Sequence, residues 1–164
     1  KVIINDISAG ELDPLIVDVA AEHDVPYVAM HMKGDPRTMQ SMTDYRDIVA
    51  EVVDYFRERT AQLRERGVRR IVVDPGFGFA KTLEQNYELL RGLHRLAELG
   101  YPVLAGVSRK SMIYKLLGTT PAEALNGTTA LHWECLRQGA AILRVHDTRE
   151  AVEVVRMFDQ FMQA

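Results

Sequence analysis

Five short apolar segments, each followed by a stretch with the apolar spacing of a helix, limit what this 164-residue chain can fold into. The segments are "VIIND" (2–6), "YVAMHM" (27–32), "RIVVDP" (70–75), "VLAGVS" (103–108) and "AILRVHD" (141–147). Each is a nearly continuous apolar run rather than an alternation, which is typical of parallel strands covered by helices. The sequence therefore predicts an α/β fold with a parallel sheet, either an open doubly wound sheet or a (β/α) barrel.

Start and stop signals mark out a helix after every segment. In chain order they are Asp13–Pro14; an apolar stripe from Tyr45 to Leu63 that Gly67 ends; a Thr82–Gln85 capping box with an end at Gly100; Ser108 as a cap with an end at Gly118; a Thr120–Glu123 cap with an end near Gln138; and an Asp147–Glu150 box. We expect the last helix to bury its apolar face, which consists of Ala151, Val154, Val155, Phe158, Phe161 and Met162.

The composition and net charge of the chain argue against several classes of function. The net charge of −3 gives no basic field for nucleic acid, and no apolar run approaches the roughly 18 residues of a membrane span. The single cysteine, Cys135, cannot form an internal disulfide and fits no metal-ligand spacing, which favours a cytoplasmic location. Because the sequence opens directly on a strand and without Met, we also expect that the first part of a longer protein is absent.

Polar side chains follow each apolar segment at the end where the strand should stop. They are Asn5 and Asp6; His31; Asp74; Ser108, Arg109 and Lys110; and Arg144, His146 and Asp147. Ligands of parallel α/β folds bind at the carboxyl ends of the strands, and five polar ends in register exceed what helix capping alone explains. The polar loop from Lys33 to about Thr43 is either a mobile active-site loop or a surface excursion.

Cationic residues dominate two neighbouring strand ends. Arg144 and His146 are two residues apart and share a strand face, while Arg109 and Lys110 follow the preceding strand. Such a group favours an anionic ligand, most simply phosphate or pyrophosphate, and Ser108 at a helix start would add to the anion site. Two alternatives stay open: Arg144 could pair with an internal carboxylate, and strand alternation could turn Arg109 outward.

Asp74 is an acidic residue among these cations. A carboxylate accepts two parallel hydrogen bonds from an amidine-like edge, such as that of a 2-aminopyrimidinone ring. Asn5 carries both a donor and an acceptor, which suits the remaining edge of the ring. Phe77 and Phe79, in the "PGFGF" that follows Asp74, could line a flat aromatic ligand or simply pack the loop.

Five sequence elements in this order carry a family resemblance: "IINDIS", "MHMKGDPRTMQ", "VVDPGFGFAKTLEQNYELL", "GVSRKSMI" and "ILRVHD". Over essentially the whole chain they resemble the dihydropteroate synthase family of pterin-binding enzymes, the folate-pathway target of sulfonamides. The resemblance implies a parallel (β/α)8 TIM barrel of about 250 residues. Residues 1–164 would form one pterin-binding barrel domain, holding the last five β/α units, with the N-terminal part missing. The implied transferase joins 6-hydroxymethyl-7,8-dihydropterin pyrophosphate to 4-aminobenzoate, giving 7,8-dihydropteroate and pyrophosphate.

The resemblance also implies roles for single residues on the pterin side. Asn5 and Asp74 match the pair that recognises the pterin, and Met30 lines that pocket. Lys110 resembles the lysine that contacts the pterin ring and helps to shape the aminobenzoate pocket. Asp74 and Lys110 are therefore expected to take part in catalysis as well as in binding.

Further implied roles concern the aminobenzoate and the leaving group. Ser108 resembles the serine whose helix start receives the aminobenzoate carboxylate, and Phe79, with Gly78 in the same loop, resembles the aromatic wall beside it. Arg144 and His146 resemble the pyrophosphate binders and are expected to be catalytic. The family binds Mg²⁺ through an asparagine outside this chain, so no metal ligand is expected here.

The resemblance implies a homodimer formed through the last helices, although burial in the core would explain the same apolar stripe. Three other functions stay open. One is a methyltetrahydrofolate-binding methyltransferase on the same barrel, against which the cationic group counts because that reaction expels no pyrophosphate. Another is a non-catalytic pterin-binding fragment. Under the function that the resemblance implies, too, we expect this chain alone to be inactive, because the metal ligand and the flexible loops belong to the missing part. The third is an unrelated sugar-phosphate barrel, although no Gly-rich loop follows the last strand.

Overall fold

A computed structural model describes residues 2–34 and 42–164 of the chain. Strands and helices alternate along them as the sequence predicts, with additional short helices before and after the fourth strand. The elements are β1 (Ile4–Asp6), α1 (Leu15–Glu22), β2 (Tyr27–Met30), α2 (Ile48–Glu65), β3 (Ile71–Asp74), α3 (Leu83–Arg91), α4 (His94–Ala97), β4 (Leu104–Ala105), α5 (Ser111–Leu117), a 3₁₀ turn (Pro121–Glu123), α6 (Leu125–Arg137), β5 (Ile142–Leu143) and α7 (Thr148–Gln163).

The strands lie side by side in chain order and all run parallel, which confirms the predicted parallel sheet. β1 pairs with β2 and β2 with β3, while β4 pairs with β5. A bridge between Val73 and Val103 joins the two groups of strands. Such connections place successive helices on one side of the sheet and gather the carboxyl ends of the strands at one edge.

The two faces of the sheet have different contents. One face packs against the helices and belongs to a large core that includes Tyr27, Ala29 and Val73. On the opposite face Val28, Val72 and Leu104 form a small layer of their own. Because side chains alternate along a strand, the next layer toward the carboxyl ends contains Met30 and Asp74, which are paired in register. A polar layer above an apolar layer is the arrangement of side chains inside a (β/α) barrel.

The sheet curls around this inner face. Arg144, just beyond β5, donates a hydrogen bond of 3.1 Å to Asn5 of β1, although three strands separate them in the sheet order. The first and fifth strands can approach in this way only if the sheet bends toward closure. The chain is thus part of a (β/α) barrel, as expected, and its inner face is open at both edges, where Ile3 and Ile142 are exposed.

Two details of the helices differ from the predictions. The single helix expected from Thr82 to Gly100 is divided into α3 and α4 at Gly92, where the chain comes so close to α2 that an added Cβ would lie 2.7 Å from Val49. The buried face expected for α7 is only partly buried, since Phe161 and Met162 are 67% and 66% exposed. One side of the Phe161 ring still packs against Trp133 of α6, with the ring centroids 5.6 Å apart. Among the described residues, no helix is both long and apolar enough to cross a membrane.

Candidate functional site

Asp74, Arg144 and Asn5 meet at the carboxyl ends of the strands. The Asp74 carboxylate is fully buried, and its Oδ1 accepts a hydrogen bond of 2.8 Å from the Gly76 backbone N–H. Its Oδ2 lies 2.7 Å from Nη2 of Arg144, in a charge contact that lacks hydrogen-bond alignment. Arg144 thus does pair with an internal carboxylate, the alternative considered above. Its side chain is nevertheless 39% exposed, and a guanidinium carries five N–H donors, so donors remain for an anion.

Gly106, beyond β4, makes room for the Arg144 guanidinium. A Cβ added at this position would lie 2.7 Å from Nη2 of Arg144. We therefore expect Gly106→Ala to displace the guanidinium from Asp74 and to lower the free energy of unfolding by about 1 kcal/mol, discounted for the partial exposure of the arginine. Urea unfolding measures the change. In an Arg144→Met background the same substitution should be neutral, and an equal loss there would contradict the explanation.

Lys110 lies between the buried carboxylate and an aromatic ring. Its ammonium donates to the Phe77 carbonyl oxygen and stands 4.8 Å from the centroid of the Phe79 ring. Burial lowers the pKa of Lys110 to about 8, against the opposing effect of Asp74 and with a further decrease from Arg144. A Cβ on Gly78 would contact the Lys110 side chain at 3.4 Å. The structure therefore brings together Asp74, Lys110 and Arg144, the convergence on which the sequence interpretation depends.

Ser108 contacts His146 and does not cap a helix. Helix α5 begins at Ser111 with Lys110 as its N-cap, so the predicted cap at Ser108 is wrong. Arg109 adopts a left-handed backbone conformation with φ of 53°, which turns the chain between Ser108 and the helix. The buried Ser108 Oγ accepts from the His146 backbone N–H at 3.2 Å and lies 3.0 Å from its Nδ1. The helix start expected at Ser108 is thus at Ser111.

Arg109 points away from the candidate site. It forms two hydrogen bonds of 2.7 and 2.8 Å with Asp147 and also donates to the carbonyl oxygens of Pro121 and Ala122. The predicted capping role of Asp147 is therefore wrong, because no side-chain cap forms at α7 and Arg109 occupies the carboxylate. Arg109 ties β4 to the segments before α6 and α7. The cations at the strand ends are accordingly Lys110, Arg144 and, when protonated, His146.

Sequence reasoning missed Lys81, which is 6% exposed in the loop between β3 and α3. Its ammonium donates to the carbonyl oxygens of Gly76 and Phe79 at 3.1 and 2.9 Å and lies 3.1 Å from Nδ1 of His31. Burial and the neighbouring lysine charges lower the pKa of His31, so the imidazole stays neutral and accepts from Lys81. Asn86 was also missed: its Oδ1 accepts the Gly78 N–H at 2.7 Å.

The buried lysine makes stability depend on pH. Burial lowers the pKa of Lys81 to about 7, whereas an unfolded lysine keeps a value near 10.5. Above pH 7 the unfolded chain therefore binds more protons, and the free energy of unfolding rises with pH. Between about pH 7 and pH 8.5 we expect a rise of about 1.5 kcal/mol that Lys81→Met lacks, measured by urea unfolding. Parallel profiles for the two proteins would contradict this assignment. Higher pH is unsuitable, because burial raises the pKa of Cys135 and the ionisation of this thiol in the unfolded chain then opposes the rise.

Metal binding finds no support among the residues that the structure describes. Within 2–34 and 42–164, no group of three or more His, Cys, Asp or Glu side chains is arranged to hold a metal ion. The described residues thus offer no preformed metal cluster, and the chemistry proposed below is assigned to their side chains alone. Most of the loop expected between Lys33 and Thr43, namely residues 35–41, lies outside the described part of the chain.

These features define a class: a partial parallel (β/α) barrel with a buried carboxylate and several cations at the carboxyl ends of its strands. Comparison with known proteins gives the family. Residues 1–146 match the family described as "Pterin binding enzyme", and the chain belongs to it.

The chain is similar to several dihydropteroate synthases. It is 43% identical to that of Escherichia coli strain K12 over 164 residues, which cover 99% of this chain and 58% of the relative. Two structures of the Thermus thermophilus enzyme are each 41% identical and cover 96% of this chain. The one in complex with 6HMPPP has a TM-score of 0.91 and is covered to 63%, and the one with 4-aminobenzoate has a TM-score of 0.92 and is covered to 65%. The chain thus spans little more than half the length of the curated relatives it matches.

Proposed function

We propose that this chain supplies the pterin- and pyrophosphate-binding part of a dihydropteroate synthase. The observation that carries the proposal is the meeting of Asp74, Arg144 and Asn5 at one point, with Lys110 beside them. A buried carboxylate suits the donor edge of a pterin, and adjacent cations suit a pyrophosphate. The cations favour this reaction over methyl transfer from a folate, which expels no anion. The Thermus thermophilus relatives, solved with 6HMPPP and with 4-aminobenzoate, support the same pair of substrates.

The chemistry follows from charge and position. The C–O bond of the pterin pyrophosphate breaks, pyrophosphate leaves with the bonding electrons, and the ring stabilises the cation that remains. The amine of 4-aminobenzoate then forms the new C–N bond and loses a proton. Asp74 holds the ring and stabilises its positive charge, with Asn5 at the remaining edge and Met30 below. Electrostatic stabilisation and orientation of this kind need no protein nucleophile.

The remaining side chains of the candidate site act at two places, one at the departing pyrophosphate and one at the 4-aminobenzoate. Arg144 and His146 stabilise the departing pyrophosphate, and Ser108 orients His146 through its two contacts of 3.0 and 3.2 Å. Phe79 and Gly78 form the wall beside Lys110 against which the aminobenzoate stacks. Ser108 was expected to receive the aminobenzoate carboxylate; because it lies against His146, we place it on the pyrophosphate side instead.

The test uses a completed barrel, defined as this chain preceded by the segment of the Escherichia coli relative that lies N-terminal to the matched region. We expect it to release pyrophosphate and form 7,8-dihydropteroate from the two substrates, whereas the 164-residue chain alone should do neither. The reason is that the inner face of this chain is open along β1 and β5, so substrates are not enclosed. Turnover by the chain alone would contradict this expectation. A folded completed barrel that binds a pterin without turnover would contradict the proposed reaction.

The proposal also covers the metal ion, the oligomeric state and the location of the enzyme. Mg²⁺ would be held by residues outside this chain, as the family resemblance implies. A homodimer through α7 would cover Phe161 and Met162, which are exposed here, and sedimentation of the completed barrel tests it. A cytoplasmic location, predicted from the single Cys135, would place the enzyme where its thiol stays reduced.

A further inference from the structure

The loop between β3 and α3, residues 75–82, connects the groups of the candidate site. Asp74 precedes it and accepts from the Gly76 N–H at 2.8 Å. The Phe77 carbonyl oxygen in its middle accepts from Lys110, and the Phe79 ring lies under the same ammonium. The orientation of Asp74 and the position of Lys110 therefore both depend on the path of this short segment.

Lys81 binds carbonyl groups of the loop other than the one that Lys110 binds. As the ammonium, the form that dominates below about pH 7, Lys81 has three N–H donors and directs them to the carbonyl oxygens of Gly76 and Phe79 and to Nδ1 of His31. No carboxylate contacts the ammonium among the residues described; all three of its partners are neutral acceptors. A buried ammonium that donates to backbone carbonyl oxygens fixes the turns to which those carbonyl groups belong; it does not neutralise an anion.

The two carbonyl groups that Lys81 binds belong to the residues that matter most for the site. Gly76 is the donor to Asp74, and Phe79 carries the ring beside Lys110. Losing the Lys81 side chain would remove a partner of the Phe79 carbonyl oxygen and one of the two partners of the Gly76 carbonyl oxygen, which also accepts from the Phe79 N–H at 3.0 Å. The Phe79 peptide would reorient to recover its hydrogen bond, and its turn with Gly76 would shift with it. Asp74 and Phe79 would then move together.

We propose that Lys81 is a positioning residue of the pterin site, which acts through the loop at residues 75–82 on Asp74, Phe79 and Lys110. The inference rests on the proposed function, because it assumes that these groups bind the substrates. Lys81 itself need not touch a substrate, since its three donors are engaged within the protein.

The test compares Lys81→Met with wild type in the completed barrel. We expect KM for the pterin substrate to rise about tenfold, as for the loss of one or two buried hydrogen bonds, with a smaller change in kcat. Leu63→Ala, in the core at the far end of α2, is the matched control because it lowers stability without contacting the loop. Arg95→Met, an exposed cation on α4, controls for loss of charge and should leave KM unchanged.

The outcomes separate this inference from the proposed function. An inactive, folded wild-type barrel contradicts the function, whereas an active wild type with an unchanged KM in Lys81→Met overturns only the positioning role. An equal rise of KM in Leu63→Ala overturns it too, because general destabilisation would then suffice. If Lys81→Met does not fold, Lys81→Arg replaces it. The planar guanidinium keeps the charge but cannot direct three donors from one atom, so KM should still rise, and a wild-type KM would overturn the proposal.

Discussion

Asp74→Asn in the completed barrel is expected to lower kcat/KM by about 100- to 1000-fold, which corresponds to about 3–4 kcal/mol of lost binding and charge stabilisation. The substitution keeps the shape of the side chain but removes the negative charge that faces Arg144 at 2.7 Å. It also replaces one acceptor oxygen by a donor, which opposes the donor edge of a pterin. Steady-state kinetics with pyrophosphate detection measures the effect.

A matched carboxylate separates this effect from a change in net charge. Asp54 lies on the solvent side of α2, where its side chain is 70% exposed and pairs only with Arg57 among the residues described. Asp54→Asn should leave kcat/KM within about twofold of wild type, since surface ion pairs contribute little. If Asp74→Asn behaves like Asp54→Asn, then Asp74 neither recognises the pterin nor supports the reaction.

Gly76→Ala is expected to destabilise the protein by about 4 kcal/mol or more, the largest effect on stability that we predict. Gly76 has a positive φ of 68°, and a Cβ there would overlap the carbonyl oxygen of His31, a backbone atom that cannot swing aside. The substitution would force the loop at residues 75–82 away from the end of β2. Urea unfolding measures the loss.

Gly100→Ala provides the comparison. Gly100 has a similar positive φ of 82°, but nothing lies within 4 Å of the Cβ it would gain. This substitution should cost only the backbone strain of about 1–2 kcal/mol. Similar losses at the two positions would show that the close approach to His31 is not what requires a glycine at position 76.

Local patterns were sufficient to predict the alternating elements and much of the site. Asp74, Lys110 and Arg144 could be found because each follows a buried apolar run, and parallel strands place such positions at one edge. The capping box of Thr82 and Gln85 is present as predicted. These features depend on residues close in sequence, which is why a single sequence reveals them.

Contacts between distant segments account for what was missed. A lysine directly before a helix cap has the same local pattern whether it is exposed or, like Lys81, buried against His31. Ser108 was assigned to a helix start because nothing nearby in sequence indicates its hydrogen bonds with His146, 38 residues away. Asn86 could have been found, since it is a polar residue on the buried stripe that continues at Leu89 and Leu90.

The pairing of Arg144 with Asp74 has a consequence for selectivity. The two opposite charges compensate each other, and the guanidinium also donates a hydrogen bond to Asn5. A ligand that donates hydrogen bonds to the Asp74 carboxylate but has no negative group would displace Arg144 and leave its charge without a counterion. A ligand with both features replaces the Asp74–Arg144 pair by two new contacts, one for each charge. Under the proposed function, we therefore expect molecules that carry a donor-rich ring and an anionic tail together to bind more tightly than either half alone.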